Sequence, residues 1–191
     1  TTVASGASLE FSNNVTVAEP ISAQGTGYSA TGAVRNLSGN NALTGLVTLT
    51  GDTEIQSDAG SLALMRSSGN AITGSYNLTF DGVGTTTVGA VGTGTGSVTK
   101  QGTGTLNLVT ASTYTGNTIL NNGTLGIYDN ASISTGTLTA AGGTTVMFGR
   151  NVTNFANNVT LTGSVTFDLD STVDYLVVGG GGGGGAWTGG G

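Results

Sequence analysis

Cysteine and histidine are both missing from this chain of 191 residues, and proline occurs once, at Pro20. Without thiols there are no disulfides, and without imidazole the commonest general base and metal ligand is gone. Charge is scarce too: 7% of residues are ionic, against about 25% in a typical soluble domain. Four cations, Arg35, Arg66, Lys100 and Arg150, oppose ten carboxylates for a net charge of −6. Cations so few and scattered do not neutralise a phosphate backbone, so nucleic acid is not expected as a partner, and the acidic balance disfavours anionic lipid. No apolar run approaches the roughly 20 residues that cross a bilayer, so no membrane-spanning segment is expected. The opening TTVASGASLEF has neither the basic nor the apolar region of a secretory signal, which suggests a signal already removed or a piece of a longer chain.

What the chain does have is threonine, asparagine, 36 glycines and 36% apolar residues. That is lean for a globular core but enough for a slender one. Apolar residues alternate with polar ones in short runs: Leu46 to Leu49, Leu62 to Leu64, Tyr76 to Phe80, Leu106 to Leu108, Thr118 to Leu120, Leu125 to Ile127, Thr144 to Phe148, Val159 to Leu161 and Val165 to Leu169. Period two predicts strands, and glycine every few residues argues against helix anywhere. Only Asp81-Gly82 and Asn122-Gly123 carry the two-residue hairpin signature. The other bends read Thr-Gly, Ser-Gly, Gly-Asn or Asn-Asn, which suits corners of a coil whose strands pair with the next turn rather than with their immediate neighbours. The predicted fold is therefore all-β, a parallel β-helix in which rungs too short to fold alone share one apolar interior.

Two sequence echoes suggest a larger period. TTV at Thr1 to Val3 recurs at Thr144 to Val146, and FSNNVTV at Phe11 to Val17 recurs as FANNVTL at Phe155 to Leu161. The reading is a solenoid over residues 1–178 with a unit of about 144 residues and a second copy beginning near 144. From Gly179 the chain is almost bare glycine around Trp187, so 179–191 is either a flexible linker or the start of a glycine-rich module.

The stretch SVTKQGTGTLNLVTASTYTGNTILNNGTLGI, Ser97 to Ile127, resembles the autotransporter-associated β-strand repeat of bacterial surface proteins. Lys100, Gly102, Gly104, Thr105, Leu106 and Leu108 match its Lys-x-Gly-x-Gly-Thr-Leu-x-Leu start. Tyr114, Thr115 and Gly116 match its middle, and Gly123, Thr124 and Leu125 its end. Asn117 and Ala111 stand where that family often has glycine. The resemblance implies a right-handed parallel β-helix on an extracellular or cell-surface stalk, in usual members exported through a C-terminal membrane barrel that is not part of this sequence.

Candidate sites are few. Asp168, Asp170 and Asp174 in FDLDSTVD form the densest carboxylate group and the candidates for a metal. They lack the six to eight oxygens that calcium takes, and solvated surface charge is the alternative. With so few ionisable groups no catalytic residue and no cofactor is expected, and the chain is read as a non-enzyme. Threonine pairs such as Thr93/Thr95, Thr103/Thr105 and Thr135/Thr137 suggest an ice-binding face but recur at no fixed interval, and threonine is in any case a good strand former. Sequons begin at Asn14, Asn36, Asn77, Asn122, Asn130, Asn151 and Asn158; near bends such asparagines are expected to satisfy backbone groups instead of carrying glycans. The functional expectation is a structural stalk or passenger segment of a surface β-solenoid in adhesion or extracellular matrix, with a self-assembling filament subunit as the alternative. Its partners would be neighbouring repeats, other copies of itself, or ligands on a host or matrix surface.

Overall fold

In the computed structural model, which describes residues 1–170, the chain is a parallel β-solenoid of about eight turns. Coil one holds β1 (Thr2–Val3), β2 (Leu9–Phe11) and β3 (Thr16–Val17). Coil two holds β4 (Ile21–Gly25), β5 (Val34–Asn36) and β6 (Asn40–Leu43). In coil three β7 (Val47–Ser57) rounds a corner without interruption, and β8 (Ser61–Leu64) follows. Coil four has β9 (Asn70–Thr73), β10 (Leu78–Asp81) and β11 (Thr85–Val88), and coil five β12 (Ala90–Gly92), β13 (Val98–Lys100) and β14 (Thr105–Leu108). Coils six to eight keep two strands each: β15 (Thr118–Leu120) and β16 (Thr124–Ile127), β17 (Leu138–Ala140) and β18 (Thr145–Phe148), β19 (Val159–Leu161) and β20 (Thr166–Leu169). Every pairing is parallel and joins one coil to the next.

The strands make three faces. Face one runs from β1 through β4 and the start of β7 to β9 and β12. Face two runs from β2 through β5 and the end of β7 to β19. Face three runs unbroken from β3 to β20. Where face one loses regular strands, single bonds continue the stack: Thr113 N donates to Val91 O and Ser112 N to Ala131 O, both at 2.9 Å. Among the described residues helix is confined to one 3-10 turn at Tyr28–Ala30.

Pairing in register turns the alternation of each strand into columns. On face three Leu43, Leu64, Val88, Leu108 and Ile127 stack one over another, all buried. On face two Ile55, Phe80, Lys100, Leu120 and Ala140 do the same. The nine strands read from the sequence are all present. Those it missed are two to five residues long; β12 has a single inward side chain, Val91, and β13 pairs inward Val98 with Lys100, so no apolar alternation marks either.

Glycine makes the corners. Gly39, Gly60, Gly84, Gly104 and Gly123 each precede a face-three strand and lie over one another, and a Cβ on Gly104 would collide with the carbonyl of Gly84. Gly116 is wedged in the same way against the carbonyl of Gly96 and itself crowds Gly136. The repeating unit is thus the coil of about 20 residues. The two echoed words occupy different corners: Phe11 to Val17 leads from face two into β3 on face three, and Phe155 to Leu161 leads into β19 on face two. Of the glycine-rich reading for 179–191, nothing falls within the described residues.

Gly104→Ala is expected to destabilise the chain by about 2 kcal/mol or more, because backbone must move to admit the methyl. Gly89→Ala, whose added methyl meets its nearest neighbour at an ordinary 3.6 Å, is expected to stay within about 0.5 kcal/mol of the parent in the same denaturant titration. Equal losses would show that corner contact is not what selects glycine.

Candidate functional site

The residues of the family-like motif point inward or sit in corners, except Thr105 and Thr124, which lie on the outer side of face three. Leu106, Leu108 and Leu125 belong to the buried columns, and Gly102, Gly104, Gly116 and Gly123 lie against the backbone of the coil below. Tyr114 is fully buried, with its hydroxyl 2.6 Å from Thr118 Oγ1. Burial raises the Tyr114 pKa far above the phenolic range and outweighs that bond. Lys100 is only 3% exposed. Its stem takes the place in the column between Phe80 and Leu120, and its ammonium bends back to donate to the Gly102 carbonyl at the corner.

Two coils and more earlier, the same corner uses amides. Asn36 Nδ2 donates to Ser57 Oγ at 3.1 Å and to Ala59 O at 2.8 Å, and Asn41 Nδ2 donates to Asn36 Oδ1 and to Ser38 O. The corner before face two carries a ladder of its own: Asn77 N donates to Asp52 Oδ1, Ser97 N to Asn77 Oδ1 and Thr137 N to Asn117 Oδ1. Asn14, Asn122 and Asn130 likewise accept from backbone N–H groups. Five of the sequon asparagines therefore cap backbone, as expected from their place at bends.

Two groups of charged residues lie along face two, which the sequence did not reveal because the partners lie 19 to 27 residues apart. Arg35 joins three coils. Its Nε donates to Asp58 Oδ2 at 2.7 Å and its Nη1 to Glu10 Oε1 at 3.0 Å. The Asp58 bond, with Glu10 beside it, raises the Arg35 pKa and holds its charge against the opposing effect of burial. Further along, Glu54, Asp81 and Lys100 interact across β7, β10 and β13. Burial pushes the Glu54 carboxyl up to about 7, and the Asp81 charge adds to this. Burial lowers the Lys100 amine to about 8, with Asp81 partly opposing.

The proposed metal candidates fall on the last coil. Asp168 lies on the outer side of β20 and Asp170 just beyond it, in the same direction by alternation. Asp170 faces the Tyr128 hydroxyl and, after burial, contributes to raising that group's pKa. Asp174 lies outside the described residues. Among the described residues no three carboxylates come within reach of one ion.

Threonine behaves differently from its sequence pattern. Thr85, Thr105, Thr124, Thr145 and Thr166 stack in one outer column on face three, although the intervals between them vary from 19 to 21 residues. Corner length conceals a register that the strands keep. The array is one column wide, since the next outer positions are Thr87, Asn107, Gly126, Met147 and Asp168.

No family model matches this chain, and neither a curated protein nor a solved structure matches it.

Stability is expected to depend on pH in two windows. Glu54 keeps its proton to about pH 7 when folded but loses it near its ordinary 4.5 when unfolded, so stability falls as pH rises between these values. Lys100 releases its proton at about 8 when folded and near 10.5 when unfolded, so stability climbs again between pH 8 and 10.5. Thermal melts should show a minimum near pH 7 to 8. Glu54→Gln should flatten the acid limb, and Lys100→Met the alkaline one; unchanged limbs would remove both assignments.

Proposed function

We propose that the chain is a load-bearing spacer, a stalk or passenger segment of an exported, cell-surface β-solenoid of the autotransporter-associated type, serving adhesion or extracellular matrix. The observation that carries the reading is the uninterrupted parallel register of face three from coil one to coil eight. Hydrogen bonds between parallel strands run across the strands and hence along the solenoid axis. About eight coils at roughly 4.8 Å per step hold the ends some 35 Å apart on faces with few ionic groups. Most of the motif residues that carry the likeness are packing residues, so the likeness supports a scaffold role and names no ligand.

Pulling the two termini apart in an optical trap tests this directly. Extension should proceed in steps, each releasing one coil of about 20 residues, or roughly 70 Å of contour length. Smooth extension at low force would overturn the reading.

A filament subunit is the second reading, favoured by one observation. Val159, Leu161, Phe167 and Leu169 occupy the interior columns in coil eight yet are 39 to 68% exposed. A second copy stacked on this coil would bury them. Electron microscopy across a concentration series should then show fibres that Leu169→Asp abolishes, whereas discrete short rods at every concentration would leave the spacer alone.

A further inference from the structure

The route from face three to face one is short in coil five, where only Gly89 separates β11 from β12, but in coil four five residues lie between β8 and β9. The extra length, Met65 to Gly69, stands out from the rod and overhangs the two coils that follow. Beneath it lies a groove of about 370 Å³, within the usual range for small-ligand sites of roughly 300 to 1,000 Å³. Its floor is made by small residues, Gly89 and Ala90 among them, and its rim carries the hydroxyls of Ser67, Ser68 and Thr110.

Arg66 stands on that rim, exposed, with Nη1 donating to the Asn70 carbonyl at 3.0 Å. This bond anchors one arm of the guanidinium, and its other N–H donors make no hydrogen bond to the described residues. Among the described residues no carboxylate pairs with Arg66, and no acidic residue lines the groove. In a chain of net charge −6 this is a local reversal of sign.

We propose that the groove binds a carboxylate-bearing sugar, a hexuronate unit of an acidic glycan. Its planar carboxylate matches the guanidinium fork, and its hydroxyls exchange hydrogen bonds with Ser67, Ser68 and Thr110. The C–H face of the ring lies over the small residues Ala90 and Ala111. Gly89 behind them is buried, where an added Cβ would touch Ala71 Cβ at 3.6 Å and Met65 Sδ at 3.7 Å, so a branched side chain there would press on Met65 in the groove wall. This inference is independent of the spacer reading, since a stalk with or without a glycan subsite transmits load alike.

The test is an NMR titration of the full chain with tri-galacturonate, and with maltotriose and glucose 6-sulfate as comparisons. Tri-galacturonate should shift the amides of Gly89, Ala90, Thr110 and Ala111 saturably, and Arg66→Gln should weaken binding at least about tenfold, the scale of one charge-assisted pair. Gly89→Val should abolish binding while its melting profile reports whether the fold is intact; if it is not, Arg66→Gln, on the exposed turn, decides. The proposal is overturned if maltotriose matches tri-galacturonate, if Arg66→Gln binds as the parent does, if glucose 6-sulfate binds and tri-galacturonate does not, or if no shifts appear around the groove.

Discussion

One spacing governs the molecule: successive coils must approach within about 4.8 Å at every point where their backbones run parallel. Strands meet this condition by pairing. Corners have no ladder and meet it only if nothing projects between the coils. Gly84, Gly104 and Gly123 form one such corner, and Gly96, Gly116 and Gly136 another. A side chain at any of these would push carbonyls apart and carry the strain into the strands on either side. The glycine that looks like disorder in the composition is what lets the strands stack.

Corners also leave backbone N–H and C=O groups without ladder partners, and these are satisfied by a narrow set of side chains. Asn36 and Asn41 serve one corner, Asp52, Asn77 and Asn117 another, and the Lys100 ammonium closes a third carbonyl from within the core. An asparagine bridges two coils because it both donates and accepts, while threonine outside the strands supplies surface polarity without charge. With the ionic groups few, the stacking depends little on salt, except where Arg35 binds Glu10 and Asp58.

Most of the fold was legible because the strand signal is local. Alternation at Leu62 to Leu64 or Leu106 to Leu108 needs no knowledge of the neighbouring coil. The scarcity of hairpin turns pointed to pairing across coils. What stayed hidden depends on register. Corner lengths vary, so Thr85, Thr105 and Thr124 fall into line at intervals of 20 and 19 residues. A search for a fixed period passes over such a column. The Glu54, Asp81 and Lys100 group was hidden for the same reason.

This division explains why scaffold and chemistry separate so cleanly in the molecule. A solenoid commits inward side chains and corner glycines to stacking, and most of the motif from Lys100 to Leu125 consists of such positions, Thr105 and Thr124 on the outer side excepted. Outer positions and corner insertions carry no such burden. Lengthening one corner from a single residue to five leaves the pairing of Ser61 with Thr85 and of Thr85 with Thr105 intact, which is why a turn can grow there without disturbing the coils. Irregularities such as the turn from Met65 to Gly69 are therefore where this architecture can vary side chains without disturbing the ladders.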